Sequence, residues 1–396
     1  MTDSRLRIIV TGLIAQYPLG GVTWDYVQYA AGLARLGHDV YYVEDTGQWP
    51  YNPHEDGVSK SCGFNVAYLD EVMSRFGLRD RWAYRFPWGP QWFGLSGSRR
   101  AEVVATADLL INVSGTLQRP EEYRSARRMA YIDSDPVFTQ VKLGRGQQDF
   151  RNLIDLHDVH FTFGESLSEE VPETGYDWRP TRQPVLLSEW EPASDHRGVF
   201  TTVMNWTSYK PVTFRGKTYG QKDVEFMRFV DLPSLVAPAM MEVAANAGKT
   251  KRTPRDLLAH RGWRVVDPMK VCPDVDSYRE YLRTSTAEWS VAKNGYVVGQ
   301  PGWFSCRSAC YLAAGRPAVL QETGFSRVLP TGQGVLPFAT VDGAAAAIAD
   351  VQGDYARHCQ AARAIAERWF DSATVLGRLL EQAMSPSAAG AREAVR

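Results

Sequence analysis

The stretch RLRIIVTGLIAQYPLGGVTWDYVQYAAGLARLGHDVYYVED, residues 5–45, reads as strand, loop, helix and strand. RLRIIVTGLIA carries the apolar run of a strand, GGVTWDYVQYAAGLARLG has a helical period, and HDVYYVED returns to strand-forming residues. A β-α-β opening of this kind builds a parallel sheet with helices on its faces. Further strands of the same half are expected in ADLLINVSG, RRMAYIDSD and DVHFTFGES, at residues 107–115, 127–135 and 158–166.

From residue 178 to 198, WRPTRQPVLLSEWEPASDHRG loses periodicity and gains proline and charge, which reads as a linker. A second series then begins with the strand VFTTVMNW at residues 199–206. Helices are expected over Asp223 to Arg228 and Pro233 to Ala245, a strand at WRVVD, a helix around SYREYLRTS and a strand at Tyr296 to Val298. Closing helices are expected near Asp342 to Ile348, Asp354 to Phe370 and Ser372 to Met384. The expected division is residues 1–192 for one Rossmann-like α/β domain, 198–370 for a second facing it across a cleft, and 371–396 for a last helix and a disordered tail.

A chain of 396 residues with 44% hydrophobic and 22% charged residues has the composition of a globular protein of two domains. Its 44 basic and 45 acidic residues give a net charge of −1, so no attraction to nucleic acid or anionic lipid by the chain as a whole is expected. No apolar run approaches the ~18 residues that cross a bilayer, and the first strand follows charged residues in place of a signal-type apolar core. Five scattered cysteines suit a reducing cytoplasm.

Open α/β sheets bind ligands beyond the carboxyl ends of their strands. A dinucleotide site would place G-x-G-x-x-G after the first strand, but here Gly12 is followed only by Gly20 and Gly21. That pair would let backbone approach a ligand at a helix start.

GGVTWDYVQYAAGLARLGHDVYYVED resembles the first β-α-β unit of GT-B glycosyltransferases, whose retaining branch opens the helix with Gly-Gly and the second strand with GH-x-V. Ala314-Gly315-Arg316-Pro317 and the strand after it are similar to the end of that fold's donor-binding helix. YIDSDPVFTQ, FTTVMNW, YGQKDVEF, AEWSVAKNGYV and GWFSCRSACYLAAGRP resemble bacterial proteins described as glycosyltransferases, over most of residues 5 to 380. The resemblance implies a GT-B fold and transfer of a hexosyl group from a nucleotide diphosphate sugar to a saccharide or to a small molecule of the natural-product, antibiotic-pathway kind. Two departures leave the stereochemical outcome open. The retaining branch's E-x7-E spacing falls on Gly302 and Cys310, and the histidine that opens the first helix of the inverting plant-type branch is absent from Val22, Thr23, Trp24, Asp25.

Ser305 reads as an N-cap before the helix CRSACYLAA, with Arg307 and Ser308 in its first turn, an arrangement that suits a diphosphate. Glu322, Thr323 and Gly324, past the next strand, are candidates for sugar hydroxyls. Asn205 and Trp206 end the first strand of the second half, and the resemblance carries a basic residue near the diphosphate onto Lys222. Glu288 and Lys293 complete the donor candidates. For a base toward the acceptor hydroxyl, Asp133 and Asp135 share one side of an extended chain, where two like charges should raise one pKa, with loop-capping carboxylates as the rival reading. Asp25 is the other candidate base. With no Asp-x-Asp at a donor strand and no His/Cys cluster at ligand spacing, neither a metal nor another cofactor is expected, the nucleotide sugar being a co-substrate. An epimerase of the same architecture and a non-catalytic nucleotide-sugar binder are the alternatives.

Overall fold

The computed structural model describes residues 5–55, 57–87, 89–248 and 253–385. Each half of the chain builds its own sheet around strands whose apolar runs are buried on both faces. The first sheet orders its strands as Trp178–Pro180, Val159–Thr162, Met129–Asp133, Leu109–Val113, Arg7–Thr11, Asp39–Glu44, Trp82–Arg85 and Trp92–Gly94. Only the last pairing is antiparallel. The second sheet runs Arg264–Val266, Met240–Gly248, Val199–Thr207, Ala287–Ser290, Ala318–Gln321 and Val335–Phe338, parallel throughout. This is the α/β architecture of two Rossmann-like halves with a cleft between them.

Local expectation fails where tertiary packing overrules it. Met240–Gly248 is rich in helix formers, yet it is a strand paired on both sides, with Val243, Ala244 and Ala245 fully buried. The helix expected over 233–245 is reduced to Leu232–Leu235. Tyr296 to Val298 is not a strand but part of the short helix Asn294–Gly299. Two of its residues must be glycine: a Cβ on Gly295 would stand 2.5 Å from the Phe138 ring, and one on Gly299 2.6 Å from Val137. The segment read as a linker supplies the edge strand Trp178–Pro180 and buries Val185, Leu186 and Trp190. The expected tail over 386–396 lies outside the described residues.

After the helix Tyr355–Trp369 the chain returns to the first half, where helix Ser372–Met384 packs along Gly20–Arg35. A Cβ on Gly32 would meet Leu376 at 2.6 Å, so the absence of a side chain there sets this helix spacing. The returning chain also bonds to the outgoing one: Val185 N–H donates to Phe370 O at 2.7 Å, and Ser372 N–H to Val185 O at 2.9 Å.

The first helix reaches across to the second half. Gly20 N–H donates to Pro273 O at 3.2 Å, and the Trp24 indole N–H to Val275 O at 3.0 Å. A Cβ on Gly20 would sit 2.1 Å from Asp274 O, inside any tolerable contact. Gly20→Ala should therefore push the helix Val275–Arg283 off the first helix and cost about 1–3 kcal/mol, as overpacking does. Urea unfolding would show it, and an unchanged midpoint would mean that the contact is not tight in solution.

Candidate active site between the two halves

A cleft of about 640 Å³ opens between the sheets, walled by the carboxyl ends of strands from both halves. The second half presents helix Cys306–Ala313, whose N-terminus reaches the cleft through Ser305, Cys306 and Arg307. Ser305 is the N-cap in backbone position, but its hydroxyl caps no backbone amide. Free N–H groups and the partial positive charge of this helix end face the cleft.

Arg307 is held firmly from behind. Its Nε donates to Glu288 Oε1, one terminal nitrogen to Val203 O and the other to Ser290 Oγ, each at 2.6 Å. The guanidinium keeps two of its five N–H groups for a ligand. Glu288, expected to touch the donor, is instead fully buried inside the strand Ala287–Ser290 and anchors Arg307. Burial works against the Arg307 charge, and the Glu288 carboxylate more than restores it, raising its pKa.

Lys222 lines the cleft at the start of the helix Lys222–Met227 and makes neither an ion pair nor a hydrogen bond among the described residues. Burial, with Arg307 and Lys293 nearby, pushes its pKa well below that of an ordinary lysine. Lys293 lines the same cleft but is occupied, donating to Asp135 Oδ1 at 2.8 Å and Tyr209 OH at 2.9 Å.

The three candidate carboxylates prove to be unlike one another. Asp133 is 1% exposed and saturated: it accepts from Thr139 Oγ1 at 2.7 Å, Thr162 Oγ1 at 2.9 Å, Gln140 Nε2 at 3.0 Å and Asp135 N–H at 3.1 Å. These partners make it the loop-capping carboxylate of the rival reading and not the base expected from the sequence. Burial raises its pKa against three of those hydrogen bonds, with Asp135 a minor contributor. Asp135 lines the cleft, but Lys293, Tyr209 and Tyr296 all donate to it. Burial alone would raise Asp135; the lysine and the two phenols outweigh it and hold the carboxyl below its usual range. It is a poor base.

Asp25 lies in the second turn of the first helix, one turn deeper than the sequence reading placed it, and lines the cleft. Burial lifts its pKa to about 7, against the pull of Arg307 and a hydrogen bond with Cys306. A carboxyl poised near neutrality beside a cation-rich helix end is suited to proton transfer.

The remaining donor candidates divide by geometry. Gly21 and Asn205 line the cleft, whereas Gly20 is committed to the contact with Pro273 and Asp274. Trp206 is the strand neighbour of Asn205, so it points to the opposite face and packs on Phe226 at 5.2 Å in the second core. Ser308 is fully buried, turned away from the cleft. Glu322, Thr323 and Gly324 do not line it either. Glu322 Oε1 accepts from the Gly324 N–H of its own turn, and Thr323 Oγ1 donates to Trp303 O at 2.5 Å. Sequence reasoning missed Tyr209, Tyr296, Lys142 and Phe150. Tyr209 and Tyr296 lie more than 70 residues from the Asp135 they serve, and a lone helical lysine reads as a solvated face.

Two facing Rossmann-like sheets, a cleft at their strand ends and a last helix returning to the first half define the GT-B fold, and this chain has it. No protein-family model matches the chain, and no curated protein matches it in sequence. Solved structures do. AviGT4, a glycosyltransferase involved in avilamycin A biosynthesis, is 14% identical over 95% of this chain and 96% of its own, with a TM-score of 0.54. HepE from Anabaena, in complex with UDP and glucose, is 12% identical over 96% and 99%, with a TM-score of 0.57. An α-glucosyltransferase solved with UDP and a 13-mer DNA is 11% identical over 96% and 100%, also at 0.57. At such identities the likeness is one of fold.

Proposed function

We propose that the chain is a glycosyltransferase that moves a hexosyl group from a nucleotide diphosphate sugar to a small-molecule or saccharide acceptor. The observation that carries this is the unpartnered Lys222 ammonium sharing a cleft with the N-terminus of helix Cys306–Ala313 and the two spare N–H groups of Arg307. A diphosphate leaving group gains negative charge as the glycosidic bond breaks, and a fixed array of cations and amides stabilises that charge without a metal. Fold neighbours solved with UDP or UDP-glucose support a uridine nucleotide as the first donor to test. Asp25, on the facing half, takes the proton of the acceptor hydroxyl. No histidine lines the cleft, which removes the histidine an epimerase site would draw on. The absence of a nucleic-acid partner, expected from net charge, is not supported by the fold comparison, since one neighbour was solved with DNA.

Lys222→Ala should weaken UDP binding tenfold to a hundredfold, the loss of one charged hydrogen bond of about 1.5–3 kcal/mol, without lowering thermal stability, because burial already works against this ammonium. Binding also carries a pH signature. The free-state pKa of Lys222 is lowered, so an incoming diphosphate draws a proton onto it. Above pH ~7.5, where the terminal phosphate is already ionised, wild-type affinity should fall as pH rises, and Lys222→Ala should flatten that slope. Calorimetry with UDP in two buffers of different ionisation enthalpy reads both effects. Wild-type protein that binds neither UDP nor another nucleoside diphosphate would refute the function.

A further inference from the structure

Among the described residues four cations line the cleft: Lys142, Lys222, Lys293 and Arg307. Two are neutralised from within, Lys293 by Asp135 at 2.8 Å and Arg307 by Glu288 at 2.6 Å. Lys222 answers the donor diphosphate in the function proposed above, and this inference rests on that reading. Lys142 is left over. It makes neither an ion pair nor a hydrogen bond among the described residues, and it belongs to the opposite half from the donor-binding helix.

Its surroundings are those of a binding wall. The Nζ stands 5.1 Å from the centroid of the Phe150 ring, which also lines the cleft, and Tyr131 and Phe163 continue the surface. The helix that carries Lys142, Phe138–Gly144, is fixed at both ends by the second half. Val137 and Phe138 seat on Gly299 and Gly295, and a Cβ on Gly144 would stand 3.1 Å from the Phe214 ring. A cation held over an aromatic ring keeps its outer hydrogens available for an anion. The three cleft carboxylates cannot serve it: Asp133 is saturated, Asp135 is bound by Lys293, and Asp25 is half-protonated near neutrality.

We propose that the acceptor carries an oxyanion, a carboxylate or a phosphate, that pairs with Lys142, next to a ring that lies on Phe150. The acceptor hydroxyl then reaches Asp25 while its charged end points away from the donor. Specificity of this kind is large because a neutral analogue forfeits the charged hydrogen bond to the ammonium.

The test uses the full chain saturated with UDP and three probes: 4-hydroxybenzoate, its neutral isostere 4-hydroxybenzamide, and phenyl phosphate. The wild type should bind the carboxylate at least about tenfold more tightly than the amide. Comparison with phenyl phosphate tells which oxyanion is preferred. Lys142→Ala should abolish the preference for the anion, Lys142→Arg should retain it, and both should bind UDP as the wild type does. Equal affinity for acid and amide in the wild type would overturn the inference, as would a preference that survives Lys142→Ala. Loss of UDP affinity in Lys142→Ala would assign the lysine to the donor and also overturn it, with the glycosyltransferase reading intact. Absence of UDP binding in the wild type would instead refute that reading first.

Discussion

Replacing Asp25 by Asn should slow glycosyl transfer by about 10²–10⁴-fold while leaving UDP binding in place, which is the loss expected for a positioned general base. The expectation follows from three features that coincide at no other carboxylate of the cleft: it faces the ligand space, no cation is hydrogen-bonded to it, and burial holds its pKa at about 7. A base must be unprotonated to act. The wild-type rate should therefore climb through pH ~7 and level above it, and the variant should lack that limb. Stability reads the same shift with the opposite sign. A carboxyl raised from 3.8 to about 7 binds a proton more tightly folded than unfolded, so stability falls as pH rises across that window. Asp25→Asn removes the ionisable group and should be more stable than the wild type at pH 8. The full shift would correspond to about 4 kcal/mol; screening by solvent in the open cleft leaves on the order of 1–2 kcal/mol. Undiminished turnover in Asp25→Asn would show that no enzyme base acts here, as in a retaining, front-face mechanism.

Arg307→Ala should be the more destructive change for the fold. It strips the partner from Glu288, whose carboxylate is fully buried at 2.6 Å from Arg307 Nε. Leaving one member of a buried ion pair uncompensated costs about 3–5 kcal/mol, far beyond the removal of a surface contact. Lys222→Ala takes away a cation that no protein group depends on. The two substitutions, alike in the sequence reading as neutralisers of a diphosphate, should separate in thermal denaturation: a large loss for Arg307→Ala and none for Lys222→Ala. The double variant Arg307→Ala, Glu288→Gln should recover much of the stability, because the orphaned charge is gone. It should not recover UDP affinity. Equal melting of all three variants would mean that the pair is solvated and that Arg307 belongs to the ligand alone.

The two-sheet frame was legible in the sequence because parallel strands buried on both faces leave continuous apolar runs. The runs over Arg7–Thr11 and Asp39–Glu44 lie within the strands read from residues alone, and Val199–Thr207 exceeds its reading by one residue. Met240–Gly248 was not legible, because its alanines and methionines favour a helix until two neighbouring strands pair with it. The cleft residues were found where one element delivers them directly, as at Ser305, Arg307, Lys222 and Asp25. They were misjudged where polarity served the protein itself. Glu288, Glu322 and Asp133 look like ligand groups in the sequence, but Glu288 Oε1 is taken by Arg307, Glu322 Oε1 by the Gly324 amide, and Asp133 by the 133–140 turn with Thr162. Which carboxylate is free depends on partners distant in the chain, and no spacing rule encodes that.

The polypeptide passes between the halves twice, and the passages are tied to each other, where Val185 N–H meets Phe370 O, Ser372 N–H meets Val185 O and the Arg363 guanidinium donates to Trp190 O. A lone tether would let one lobe swivel about any direction. Two connections bonded to each other restrict that rotation. A chain ended before Phe370 would lose the tie at Val185 and leave the halves joined by a single connection.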